Sequence, residues 1–326
     1  MERVKIPESD LVVSKAVFGT SRLGGTVSHY DKSEAQAILR TAMEGGVNCF
    51  DTADIYAQGN SERLLAETFS GCRDKVVIAT KGGYVLSAKA RILAKAKPLV
   101  RKFLGRGKGL AKAVGKARGG QMARDFSREH LTKALEASLR RLRTDRIDLY
   151  QLHSPSAEHL MVSGAFETLA RFKETGKIRA FGASILAWED LDRCFDHGVS
   201  WVQVEAGLLS ESDRTHWIKK AADANVLLIC RQVFDAGRVF GDPGELSGDS
   251  RRKLEVIRDL GDPSDVILRY LSHHAPFGAF LFATTRLDRL RANLDSLQRP
   301  ELSASEATRL SERFNLPVSV PPANED

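Results

Sequence analysis

Between Ile147 and Ser184 the chain reads IDLYQLHSPSAEHLMVSGAFETLARFKETGKIRAFGAS. Two apolar runs, IDLYQLH (147–153) and IRAFGAS (178–184), flank FETLARFKETGK (166–177), whose apolar residues recur at helical spacing. A strand that is apolar at successive positions, rather than at alternate ones, suits a sheet covered on both faces, as parallel sheets are. The stretch therefore predicts a strand, a crossover helix and a second, parallel strand.

The same alternation extends in both directions. Upstream lie AVFGT (16–20) with SEAQAILRTAMEGG (33–46), VNCFDTA (47–53) with SERLLAETFSG (61–71), and KVVIATKGG (75–83) with SREHLTKALEASLRRL (127–142). Downstream, IRAFGAS is followed by WEDLDRCFDHG (188–198), VSWVQVEAG (199–207) by THWIKKAADAN (215–225), VLLICRQ (226–232) by VILRYLSHHA (266–275), and FGAFLFATT (277–285) by LDRLRANLDSLQ (287–298). Eight such units predict an α/β chain forming a single (β/α)8 TIM barrel across residues 1–326, and no glycine-rich G-x-G-x-x-G follows the first strand to favour a doubly wound sheet. Residues 4–13 read as an N-terminal hairpin closing the bottom, and SASEATRLSERF (303–314) as an extra helix.

Charge is distributed unevenly. Of 49 Lys and Arg against 42 Asp and Glu, twelve basic and no acidic residues fall in Leu86–Arg124, so the remainder carries a net charge of −5. The basic pI of about 9.2 thus belongs to one insertion after the third barrel strand, and it does not mark a nucleic-acid-binding face. Pro98 and the glycines at 105, 107 and 109 divide that insertion into two short helical pieces. The start MERVKIPESD lacks the pattern of a secretion signal, no apolar run is long enough to span a membrane, and Cys49, Cys72, Cys194 and Cys230 form no C-x-x-C. The expectation is a cytoplasmic protein with reduced thiols, a monomer or weak homo-oligomer, and no metal site.

Chemistry in a parallel barrel collects where strands end and loops begin. The second, third and fourth strands end on Asp51, Lys81 and His153, and Tyr56 follows Asp51 in the turn. An ammonium beside a phenol lowers its pKa, so Lys81 is expected to pull Tyr56 down, with Asp51 keeping the buried lysine charged. His153 can orient a bound oxygen. The set describes protonation of a carbonyl oxygen by a site whose hydride must come from a nicotinamide cofactor, since no side chain supplies one.

FDTADIY, IATKGG, LRRLRTDRIDLYQLH, GKIRAFGAS and TTRLDRLRANL, in this order, resemble the aldo-keto reductase family over nearly the whole chain. The resemblance implies a barrel oxidoreductase using NADP(H), or in some members NAD(H), with Asp51, Tyr56, Lys81 and His153 as its tetrad and Tyr56 as general acid/base. It further implies cofactor contacts at Thr20, Ser21, Ser184, Gln203, Thr284, Thr285, Arg289 and Asn293, Arg289 facing the adenosine 2'-phosphate. Departures cluster on the cofactor side. Ile185 replaces a common Asn, Ala206 and Gly207 a common Tyr-Asn, Ala283 a common Gly and Ala292 a common Glu; Arg231 stands where an aromatic ring often meets the nicotinamide, and a guanidinium can stack there instead.

Two other readings stay open: a catalytically idle cofactor-binding interaction protein, and a Schiff-base enzyme using Lys81 as nucleophile. FGTSRLGG and DFSREHL are similar to the bacterial, sugar or aldose dehydrogenase-like branch of the family, so the substrate is expected to be an aldehyde, ketone or sugar. The basic insertion 86–124, placed at the mouth, is expected to favour an anionic one.

Overall fold

A computed structural model describes residues 1–24, 31–86, 122–162, 164–210, 213–246 and 248–317. Among these, twelve strands are numbered in chain order. Arg3–Lys5 (β1) and Val12–Ser14 (β2) pair antiparallel. The barrel strands are Ala16–Gly19 (β3), Cys49–Asp51 (β4) and Val77–Gly82 (β5), then, after Tyr84–Leu86 (β6) and Met122–Arg124 (β7), Ile147–His153 (β8), Ile178–Ser184 (β9), Trp201–Glu205 (β10), Leu227–Arg231 (β11) and Ala279–Phe282 (β12). They close in the order β10-β11-β12-β3-β4-β5-β8-β9, every neighbouring pair parallel. This is the (β/α)8 barrel that the alternation predicts.

Alternation of side chains along each strand divides the core in two. Inward-facing Val17, Cys49, Val77, Ala79, Leu149, Ala180, Trp201, Ile229 and Ala279 fill the barrel, and Ile6, Leu11 and Val13 of the β1–β2 hairpin plug its base. Outward-facing residues such as Phe18, Phe50, Tyr150 and Phe282 meet the helices. Trp201, fully buried, is tied to the next layer by its Nε1–H, which donates to Gln151 Oε1 at 3.0 Å. Above the apolar layers the interior turns polar. Asp51, Lys81, Gln151 and Gln203 are all buried there.

The close approach of β9 to β10 rests on Gly182. A Cβ at that position would lie 1.7 Å from the Trp201 carbonyl oxygen. No side chain fits, so glycine is required by the packing of two adjacent strands.

Several helices follow local sequence signals. Ser127 caps Arg128–Leu142 by accepting from the His130 amide, and Ser303 with Glu306 forms a reciprocal capping box at Ala304–Phe314. Two expectations need correction. The seventh unit holds two helices, Gly248–Leu260 and Pro263–His273, and the second starts earlier than 266 because Asp262 caps it with Pro263 in its first turn. The segment 188–198 is a 3-10 turn, Trp188–Leu191, running into the short helix Asp192–Phe195. The basic insertion leaves the barrel through β6 and returns through β7, paired antiparallel with Tyr84 opposite Arg124; its two expected helical pieces lie outside the described residues.

Candidate active site

The barrel register brings the four sequence-derived residues to one mouth. Asp51 closes β4, and the chain then turns, with the Thr52 amide donating to Ala79 O and the Asp54 amide to Lys81 O. That path carries Tyr56 over the end of β5. Lys81, 1% exposed, donates from Nζ to Asp51 Oδ1 at 2.5 Å and to Thr52 O at 2.9 Å. The second Asp51 oxygen accepts from Gln203 Nε2 at 2.5 Å and from Gln151 Nε2 at 3.4 Å. The Lys81 ammonium lies 5.3 Å from the centre of the Tyr56 ring. His153, at the end of β8, sets its ring edge-on to Tyr56 at 5.7 Å and to Tyr84 at 4.7 Å, both at 85°. Its Nδ1 is buried with no partner among the described residues.

Electrostatics assign protonation states. Burial works against the Lys81 ammonium, but Asp51 and the Tyr56 oxygen outweigh it and hold its pKa above the usual lysine value. Burial, with the positive charges of Lys81, Arg231 and Arg124, pushes His153 well below its ordinary value, so the imidazole is neutral. Tyr56 corrects the sequence expectation. Burial raises its pKa more than Lys81 lowers it, and Asp51 adds to the rise, so Tyr56 is a neutral phenol with an ammonium beneath its ring. Such a pair holds a proton ready for an oxygen that begins to bear charge, and the ammonium then steadies the phenolate left behind. A lysine held charged by Asp51 is a poor amine nucleophile, and this disfavours the Schiff-base reading.

The residues expected around a cofactor occupy the same face. Thr20 is fully buried, its hydroxyl donating to Asp51 O at 2.9 Å and sharing a 2.7 Å hydrogen bond with Ser61, while Ser21 beside it is exposed. Ser184 ends β9, buried, and Gln203 is held by Asp51 as above. Thr284, Thr285 and exposed Arg289 surround the start of the helix Leu287–Gln298, in which Asn293 is buried; the Thr284 hydroxyl accepts from the Arg286 amide at 3.1 Å. Arg231 reaches the tetrad side from β11, donating to Ile185 O at 2.9 Å and pairing with Glu205 at 3.3 Å.

Three residues that sequence reasoning did not single out also sit here. Tyr84 and Arg124 come from the stem of the insertion, the Arg124 guanidinium 5.6 Å from the Tyr84 ring centre. Arg214 lies in the loop after β10, 6% exposed, facing a cavity of about 580 Å3 between the ends of β10 and β11. Its neighbours D and T in ESDRTH read as a solvated turn, so no sequence signal marked it. A buried guanidinium in a cavity, together with polar residues at a helix N-terminus, is a donor set that suits an anionic dinucleotide. Among the described residues no group of three or more His, Cys, Asp or Glu is placed to hold a metal ion, and no helix is long and apolar enough to cross a membrane.

Fold and site together give a closed (β/α)8 barrel with a buried lysine–aspartate pair set beneath a tyrosine ring at its mouth. The sequence pattern of the Aldo/keto reductase family matches residues 15–313, and the chain belongs to that family, whose members are oxidoreductases that use nicotinamide cofactors. Among its relatives, 6-dehydroglucose reductase of Agrobacterium fabrum is 24% identical over 309 residues, covering 91% of this chain and 93% of the relative. NADH-specific methylglyoxal reductase of Escherichia coli is 24% identical over 248 residues, 74% of this chain and 70% of the relative. The holo form of aldo-keto reductase AKR11C1 from Bacillus halodurans superposes over 100% of both chains with a TM-score of 0.73 at 23% identity, a likeness of fold.

Proposed function

We propose that the protein is an NADP(H)-dependent oxidoreductase that interconverts a carbonyl and an alcohol, with Tyr56 as general acid/base. The observation that carries this reading is Lys81, buried, locked to Asp51 at 2.5 Å and lying under the Tyr56 ring. When bound, the reduced nicotinamide supplies the hydride that the carbonyl carbon receives. Tyr56 gives its proton to the carbonyl oxygen and becomes a phenolate; Lys81 offsets that charge, and Asp51 keeps Lys81 protonated and in place. Neutral His153 donates a hydrogen bond to the same oxygen and fixes its position. In the alcohol-to-carbonyl direction the Tyr56 phenolate takes the hydroxyl proton back.

Arg289, exposed at the start of Leu287–Gln298, supports NADP(H) over NAD(H), since a guanidinium there can pair with a 2'-phosphate. The substrate we propose is a small aldehyde, ketone or sugar, in keeping with the name of the Agrobacterium relative. Arg124, in the stem of the basic insertion, favours an anionic one. The four thiols are unpaired, which supports a cytoplasmic setting; the enzyme acts there as a monomer or weak homo-oligomer, with Thr20, Ser21, Ser184, Gln203, Arg231, Thr284, Thr285 and Asn293 around its cofactor.

The deciding experiment follows nicotinamide absorbance in both directions, with NADP(H) and NAD(H), over a panel of aldehydes, ketones and sugars. Tyr56→Phe is expected to lose about 10²- to 10⁴-fold in kcat, the worth of a positioned proton donor, while binding the cofactor as before. Equal turnover by the two proteins would overturn the mechanism.

A further inference from the structure

Where the helices Asn60–Thr68 and Arg128–Leu142 pack side by side on the outside of the barrel, they border a cavity of about 450 Å3 lined by Arg63, Ala137, Arg140, Arg141 and Arg143. Two carboxylates answer these four guanidiniums. Glu62, fully buried, accepts from Arg141 Nε at 2.5 Å. Glu67 lies 3.7 Å from Arg143, but Lys32 already holds it at 2.6 Å. Among the described residues Arg63 has the neutral Asn60 side-chain oxygen at 3.4 Å, and Arg140 has no ion pair. The cavity is therefore rich in cationic donors that the protein itself leaves unmatched.

Basic residues in the last turn of a helix are ordinary, because that end of the helix is negative, and this accounts for Arg140 and Arg141. It does not account for the other two. Arg63 stands near the start of its helix, one residue after Glu62, at the end where a cation is disfavoured. Arg143 caps its helix in left-handed backbone, with φ 55° and ψ 45°, a conformation that glycine takes freely and a residue with a side chain takes at a cost. Both are placed against local preference, and both line the same cavity. Arg141 gives that cavity a fixed wall. Its Nη2 donates to Ser138 at 3.0 Å, and its stem packs so closely on Gly59 that a Cβ there would lie 2.5 Å from Cδ. The Glu62 that holds it also accepts from Thr80 at 2.7 Å. A cation fixed before its ligand arrives loses little freedom on binding.

We propose that this cavity is a binding site for a small anion carrying a diphosphate group, with Arg141 as its fixed cation and Arg63, Arg140 and Arg143 supplying further charge-assisted hydrogen bonds. The guanidiniums come from two helices, which suits a group with acceptor oxygens on all sides better than a planar carboxylate, whose two oxygens a single fork satisfies. A cavity set between helices, rather than a flat basic face, suits a small ligand better than a polymer. The site belongs to the helix layer, whereas Asp51, Lys81 and His153 end barrel strands, so the inference stands independently of the oxidoreductase reading. Its link to the barrel is the chain from Arg141 through Glu62 to Thr80, the neighbour of Lys81 in β5.

Pyrophosphate, citrate and a short single-stranded RNA are titrated into the full chain by calorimetry at about 150 mM sodium chloride, where loose attraction to an exposed basic face is largely screened. Pyrophosphate is expected to bind saturably. Arg63→Gln, Arg140→Gln and Arg143→Gly are each expected to weaken it by about tenfold, the worth of one charge-assisted contact. Arg143→Gly places at the cap the residue that its backbone favours and is expected to melt no lower than the wild type, so its loss of binding reports the missing guanidinium and not a damaged fold. Should that variant fold poorly, Arg63→Gln and Arg140→Gln, both at exposed positions, decide alone. A wild type that shows no saturable pyrophosphate binding, or an affinity that these variants leave unchanged, would overturn the proposal. Citrate bound as tightly as pyrophosphate would overturn the assignment to phosphate, and RNA bound more tightly in the same arginine-dependent way would overturn the small ligand in favour of a nucleic acid.

Discussion

Asp54 lies two residues before Tyr56 and is a carboxylic acid in a poor place for a charge. The residue is partly buried, with Oδ1 sealed from water and without a hydrogen-bond partner among the described residues. Burial first, and then the Glu62 carboxylate, raise its pKa from 3.8 to about 7. Such a change corresponds to about 4 kcal/mol of penalty on the ionised form; the partial exposure of the side chain halves what is expected, to about 2 kcal/mol. The sign follows from the raised folded value. Below the unfolded pKa the acid is protonated in both states and stability is intact; as pH climbs towards about 7 the unfolded chain ionises freely, the folded one resists, and stability falls. Asp54→Asn removes the titration and keeps the shape. Urea unfolding of both proteins, between about pH 5 and about pH 8, should show the variant gaining about 1–2 kcal/mol on the wild type as pH rises. Two parallel stability curves, with a gap that does not change with pH, would refute the assignment.

Two further outcomes follow from positions already described. Gly182→Ala should part β9 from β10, since its Cβ would meet the Trp201 carbonyl at 1.7 Å; a loss of more than about 4 kcal/mol, or no soluble protein, is expected. Gly71→Ala, which meets nothing within 4 Å, is the control and should stay within about 0.5 kcal/mol by the same urea titration. Deleting Ala88 to Gly120 and closing the β6–β7 stem with a tight turn should raise KM for anionic substrates and spare neutral aldehydes, read from steady-state rates at two ionic strengths; an unchanged preference would refute steering by the insertion.

How much of this was legible beforehand depended on whether a feature is local. Strands such as Ile147–His153 and Ile178–Ser184 coincide with their sequence readings because a doubly covered parallel strand is apolar at successive positions. The helix Gly248–Leu260 was not visible: its buried side chains are Lys253, Leu254 and Ile257, too narrow a stripe to stand out in a charged segment. Asp51, Lys81 and His153 could be placed together because each ends a neighbouring strand, so topology does the work. The protonation of Tyr56 could not be read, because proximity to Lys81 is a matter of register whereas the opposing burial is a property of the finished fold. Arg214 and Asp235 escaped for a related reason. They come from loops after different strands, and only the closed barrel brings both to the lining of one cavity.

The antiparallel stem of Tyr84–Leu86 with Met122–Arg124 makes the segment between them a cartridge. Its two ends are clamped to each other before they reach the barrel, so its length is mechanically uncoupled from β5 and from the lysine that β5 carries. Closing a loop twice as long costs only about 0.6 kcal/mol more. A chain built in this way can change the length of that segment while Lys81 and Asp51 keep their 2.5 Å contact, so the deletion above is expected to leave the buried lysine–aspartate pair in place.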